Sequence, residues 1–172
     1  GINYGENPAT DISLSGTVGA ALEAASYGIP ALAVSLQLTS EDFLGYSSET
    51  DFSTAAVFTR RFAQLLLKQQ MPADVHVLNV NVPIGATPET PWRMTRLGKH
   101  SYFTPFLKEP SEANGIPRID ATRNPHPDDL NDPLSDVHVF NREKLVSVTP
   151  LSLDFTSRVN LEELQRSFGN LE

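Results

Sequence analysis

The chemically dense stretch of this sequence is Asn3, Asn7, Asp11, Ser15, Gly16 and Thr17. It lies just ahead of Val18, Ala21, Leu22 and Ala25, whose i, i+3, i+4, i+7 spacing predicts a helix. The first N–H groups of a helix have no internal partner, and the helix dipole adds partial positive charge there. A Ser-Gly-Thr turn adds hydroxyl donors, and its Gly lets a ligand approach the backbone. Phosphate suits such a place. Asn side chains offer neutral oxygen ligands to a hard cation such as Mg²⁺ or Mn²⁺. A loop that serves both a cation and a phosphate is what metal-assisted phosphoryl chemistry requires. The same residues also suit an ordinary helix cap preceded by turns, so residue types alone leave both readings open.

The elements that must position these residues follow from pattern. Gly28 and Pro30 stop the first helix. Ala31 to Leu36 is a short apolar run without clean alternation, as in a strand buried on both faces. A second helix is predicted after Thr50 or Asp51, with Phe52, Ala55, Ala56, Thr59, Phe62, Ala63 and Leu66 on its inner stripe, ending near Gln70. Residues 75–82 alternate and read as another strand. Strands alternating with helices imply an α/β fold with a parallel sheet covered on both faces.

Nine of the thirteen prolines lie between Pro83 and Pro133, which excludes a helix-rich subdomain there. Within that stretch, 92–97 and 101–106 could pair as extended strands, and the rest reads as long loop. Order returns at Asp136. Residues 145–151 read as a strand limited by Pro150. A last helix is predicted after an Asn160 cap, with Glu163 as capping-box partner and Leu161, Leu164 and Phe168 facing inward. The expected organisation is part of an α/β core over 1–83, an extended arm over 84–136, and a C-terminal strand and helix over 137–172.

Composition narrows the function classes. The 172 residues carry 13 Lys/Arg against 21 Asp/Glu, a net charge of −8, which disfavours binding nucleic-acid polymers through a basic face. A bound cation can still bring a small anion to an acidic protein. The 40% apolar content argues against disorder. No apolar run approaches the ~18–20 residues of a membrane span, so no membrane partner is expected. No signal peptide is expected either. Zero Cys excludes a disulfide framework and a thiol nucleophile and fits a reducing compartment, so a cytoplasmic protein is expected. A chain that opens without Met on a Gly/Asn-rich loop reads as a piece of a longer one.

Gly1-Ile2-Asn3-x-Gly5-x-Asn7, Asp11, Ser15-Gly16-Thr17-Val18-x-Ala20-Ala21-x-Glu23 and 28–36 closely resemble the SurE family of metal-dependent nucleotidases. Leu78-Asn79-Val80-Asn81-Val82-Pro83, Ser135-Asp136 and 146–151 resemble later segments of that family, in the same order. The resemblance implies a Rossmann-like three-layer α/β/α core, an extended Pro-rich arm and a swapped C-terminal segment that build homodimers or tetramers. It implies a phosphoric monoester hydrolase that removes phosphate from nucleoside 5′- and 3′-monophosphates with Mg²⁺ or Mn²⁺. By position, Asn3 matches the asparagine that ligates the metal. Asn7, Ser15, Gly16 and Thr17 match the residues that line the phosphate pocket. Asp11 matches a motif carboxylate and receives no catalytic role. The family's other metal ligands, an aspartate pair and a serine, have no counterpart here and are expected upstream of Gly1.

Two rival readings stand beside this one. Ser15 as the nucleophile of a serine hydrolase lacks the Gly-x-Ser-x-Gly elbow. A non-catalytic nucleotide- or phosphate-binding assembly module is the other. His76, His100, His126 and His138 are scattered without i, i+4 pairs and read as surface or partly buried histidines. Asp128-Asp129 reads as a solvated loop pair, and Trp92, Tyr102, Phe103 and Phe106 as packing aromatics.

Overall fold

The helix predicted after Ser15 is present as α1 (Gly16–Ser26), and the Ser15 side chain caps it by accepting the Val18 N–H at 3.2 Å. The computed structural model describes residues 2–39, 42, 49–109 and 117–169. Ahead of α1 run the short strand β1 (Asn3–Tyr4) and a 3-10 turn (Ala9–Leu14). Gly28, at φ +76°, closes the helix in the left-handed region that favours glycine. Then come β2 (Ala31–Leu36), α2 (Ser53–Lys68) and β3 (Val77–Val82), the helices and strands anticipated from periodicity. The inner stripe of α2 is Ala55, Phe58, Phe62 and Leu66. Ala56 is exposed, and the register turns Phe58 inward instead.

The two helices cover opposite faces of one sheet. Ala31 and Ala33 of β2 pack with Val18, Ala21 and Ala25 of α1. Val34 and Leu36 pack with Phe58, Phe62 and Leu66 of α2. Alternate residues of a strand point to opposite faces, so this split defines three layers. The small side chains of α1 let that helix lie close. Phe58 and Phe62 carry the larger payload, each contributing about 1.5–3 kcal/mol through burial.

β4 (Trp92–Met94) and β7 (Val146–Leu151) complete the sheet in the order β1-β2-β3-β7-β4. β1, β2 and β3 are mutually parallel, while β7 runs antiparallel to β3 and parallel to β4. The sheet is therefore mixed. Two expectations fail here. Residues 92–97 and 101–106 do not pair with each other: β4 joins β7, and β5 (Phe103–Lys108) pairs antiparallel with β6 (Arg118–Arg123) as a separate hairpin. In its place beside β7, β4 sets the Trp92 ring T-shaped against Phe62 at 5.4 Å. The last helix, α5 (Leu161–Phe168), is capped by Asn160 and ended by Gly169 as expected, but it buries none of its residues. Leu161, Leu164 and Phe168 are 62%, 39% and 65% exposed instead of facing inward.

Two short helices, α3 (Pro127–Asn131) and α4 (Asp136–Asn141), return the chain from the hairpin to β7. Asp129 is not solvated: it is 5% exposed and accepts hydrogen bonds from the amides of Lys99 and His100 at 2.9 and 3.0 Å. Burial pushes its carboxyl up, and those amide bonds together with the His100 ring outweigh this and hold it below the usual range. Tyr102 is buried against Phe140 and Phe103, which agrees with a packing role for these aromatics, whereas Phe106 is exposed on the hairpin.

Candidate phosphate and metal site

Sheet register builds a polar floor beneath the dense loop. Asn3 of β1 stands opposite Ser35 of β2, Ser35 opposite Asn81 of β3, and Asn81 opposite Ser147 of β7. Asn79 and Thr149 form the neighbouring pair, and Thr149 bonds the Thr95 hydroxyl at 2.7 Å. These residues share the α1 side of the sheet, because Leu78, Val80, Val82, Val146 and Val148 take the other side under α2. Ser35, Asn79, Asn81 and Ser147 are all fully buried. Buried polar groups usually find partners, and Ser35, Asn79 and Asn81 find theirs in the loop.

Asn7 sits on that floor. Its amide N–H donates to Asn81 Oδ1 at 2.8 Å, and its side-chain Nδ2 donates to Ser35 Oγ at 2.7 Å. Its carbonyl accepts from Asn79 Nδ2 at 2.9 Å and from Asn81 Nδ2 at 3.2 Å. Sequence reading did not single out Ser35, Asn79 or Asn81 as loop-holding residues. Their signal is present all the same: two Asn at alternate positions of an otherwise apolar strand. Asn79 Oδ1 and Ser147 Oγ have no hydrogen-bond partner among the described residues.

The loop's carboxylates are spent on structure. Asp11 accepts the amides of Tyr102 and Phe103, both at 2.8 Å, and the Ser101 hydroxyl at 2.7 Å. Glu6 forms a bidentate ion pair with Arg123, whose Nη2 also reaches the Leu38 carbonyl at 2.9 Å. The Glu6 hydrogen bond pushes the Arg123 guanidinium above its usual range, outweighing partial burial. No acidic residue stands in the first turn of α1. The helix start therefore keeps its positive end for an anion.

Asn3 and Thr17 line one cavity of about 510 Å³, walled by Ala20, Ala21, Ala24 and Leu32. Asn3 Nδ2 donates to the Gly5 carbonyl at 2.7 Å, which leaves the side chain's Oδ1 as a neutral oxygen ligand. That fits one position of an Mg²⁺ or Mn²⁺ ligand set. The amides of Gly16 and Thr17 have no acceptor among the described residues, as the start of a helix dictates. Gly16 is exposed, with nothing within 4 Å of an added Cβ. Ser15 Oγ accepts from Val18, and its O–H proton remains to donate. No His or carboxylate bonds Ser15 among the described residues, so nothing there activates it as a nucleophile. The fold brings Asn3 and Thr17 to one cavity, whose lining does not include Asn7, Ser15 or Gly16.

Comparison with known proteins shows what the chain as a whole is similar to. A family model described as survival protein SurE matches residues 1–104. The 5′-nucleotidase SurE of Thermococcus kodakarensis is 39% identical over 166 residues, covering 96% of this chain and 63% of the relative. That of Thermococcus gammatolerans is 41% identical over 172 residues, with 96% and 61% covered. The solved SurE protein from Aquifex aeolicus superposes with a TM-score of 0.64 at 28% identity, covering 97% of this chain and 61% of its own. The chain thus spans about three-fifths of the length of the relatives it matches.

Proposed function

We propose a function for this chain from one premise: it belongs to the SurE family. The full-length protein is a divalent-metal-dependent phosphatase that hydrolyses nucleoside 5′- and 3′-monophosphates to nucleoside and phosphate. The observation that carries this reading is the start of α1, with unpaired amides, no acidic neighbour in its first turn, and Asn3 and Thr17 in one cavity. The cofactor would be Mg²⁺ or Mn²⁺, with Asn3 Oδ1 as one of the ligands that would hold it. When bound, that cation polarises the phosphoryl group. The residues of this chain do the rest. The Ser15 hydroxyl and the Gly16 and Thr17 amides donate to phosphoryl oxygens and follow the charge that builds on them in the transition state. The second hydrogen of Asn7 Nδ2 adds a donor held in place by Ser35. Glu6 is paired with the Arg123 guanidinium and Asp11 accepts backbone amides, which lessens their repulsion of the anion.

The protein acts in the cytoplasm and assembles as a homodimer or tetramer through the hairpin and α5. Support comes from exposed Phe106, Leu107 and Ile119 on the hairpin and from the uncovered stripe of α5. No helix among the described residues is long and apolar enough to cross a membrane.

The test is phosphate release from a nucleoside monophosphate by the full-length protein with Mn²⁺ or Mg²⁺, then with chelator. Activity should vanish with chelator and fall about 100-fold or more in Asn3→Ala, as loss of a metal contact predicts. Chelator-resistant turnover would sink the metal reading. Tight binding without turnover would favour the non-catalytic module.

A further inference from the structure

Two histidines that are far apart in sequence are stacked in the fold. The rings of His100 and His126 lie with centroids 3.7 Å apart and planes within 16°. One ligand atom from each, together with a carboxylate oxygen of Asp128, falls within 4.8 Å of the others. We propose that His100, His126 and Asp128 form a second cation site, built from none of the residues assigned above, that takes a divalent transition metal of the Zn²⁺ or Ni²⁺ type.

Ligand chemistry chooses the metal class. Two imidazoles and one carboxylate suit borderline cations, whereas Mg²⁺ prefers oxygen. The surroundings resemble those of a metal-binding imidazole. His100 Nδ1 is 3.1 Å from Asp129 Oδ2, and Asp129 is itself fixed by two backbone amides. A carboxylate behind one ring nitrogen orients the imidazole and leaves the other nitrogen, Nε2, to face an ion. His126 Nδ1 and Asp128 Oδ2 are 3.7 Å apart. A tetrahedral ion with bonds of about 2.0–2.1 Å sets neighbouring ligand atoms about 3.3–3.4 Å apart. The cluster closes to that spacing by side-chain rotation, because the side chains of His126 and Asp128 are 43% and 80% exposed. The ion replaces the 3.2 Å hydrogen bond that His126 Nδ1 now accepts from the Asp128 amide. Water takes the fourth position.

Placement gives the site a consequence. His100 stands three residues before β5, and His126 three residues after β6. A bound ion therefore ties together the two roots of the hairpin.

The experiment uses the full-length protein, stripped with chelator and held in excess Mg²⁺ so that the oxygen-ligand site near Asn3 is occupied. Zn²⁺ is titrated by calorimetry. Wild type and Asn3→Ala should each bind one equivalent of Zn²⁺. His126→Gln and His100→Gln should lose it, and Asp129→Asn should bind about 10–100-fold more weakly. Zn²⁺ should also slow hydrogen exchange in 103–108 and 118–123 of wild type but not of His126→Gln. Wild-type affinity in both His variants, each folded by circular dichroism, would overturn the proposal, as would no Zn²⁺ uptake by wild type. Neither result depends on phosphatase activity, so failure here is separable from failure of the nucleotidase reading.

Discussion

Asp136 shows how a single buried group can hold a functional loop. Its carboxylate accepts the Ala9 amide at 2.9 Å and the Gly98 amide at 2.9 Å. Ala9 is fully buried at φ +51°, a conformation that costs a non-glycine residue on the order of 1–2 kcal/mol. The Asp136 bond keeps it there. Burial pushes Asp136 up to about 6, against the pull of its amide donors. Its folded pKa thus exceeds the unfolded value. The stability it contributes is complete below about pH 4 and is lost as pH rises through about 6, roughly 3 kcal/mol in all. Asp136→Asn should flatten that part of the pH profile in urea denaturation. At pH 7 it should also cost about 1–3 kcal/mol, because an NH₂ group then faces a backbone donor. The Glu6–Arg123 pair makes a second prediction at this scale. Arg123→Ala leaves Glu6 buried without its charge partner and should cost about 3–5 kcal/mol. Replacing both residues with apolar side chains of similar volume should recover much of that loss; a double variant as unstable as Arg123→Ala would contradict this account.

Among the elements, α1, β2 and β3 were legible because their signals are local. A cap, a 3.6-residue stripe, a Gly stop and an apolar run each lie within a dozen residues. Ser15 caps α1, and in the proposed function its hydroxyl also donates to the phosphate. Ser15→Ala should therefore destabilise the fold by only about 1 kcal/mol. Its effect on kcat in the full-length protein should be far larger than that small loss of stability explains. A kcat unchanged in a folded Ser15→Ala protein would remove Ser15 from the phosphate site. The pairing of β4 and β5 was not legible. Both are short, extended and Pro-flanked, and nothing local distinguishes a strand that joins β7 from one that joins β6. The burial of Asp129 was hidden for the same reason, since the amides that hold it lie 29 and 30 residues away. The stacking of His100 on His126 likewise appears only when both ends of the hairpin are brought together.

At the scale of the molecule, the β5–β6 hairpin and the stripe of α5 both leave large apolar side chains exposed. An amphipathic helix gains most of its stability from packing its apolar face. The Leu164→Glu/Phe168→Glu variant of the full-length protein should give a smaller assembly by light scattering while keeping its circular dichroism. An unchanged mass would remove α5 from the interface. By itself the sequence determined the α/β class, the capped start of α1, the family motifs from Asn3 to Thr17 and the breaks imposed by proline. All of these depend on neighbours in the chain, where propensity and periodicity act. Only the tertiary structure decided that β7 enters antiparallel beside β3, that Asn7 rests on Ser35, Asn79 and Asn81, and that Glu6 meets Arg123. These contacts join residues 28 to 117 positions apart. Strand order and register bring such residues together, and no local free-energy preference encodes either one.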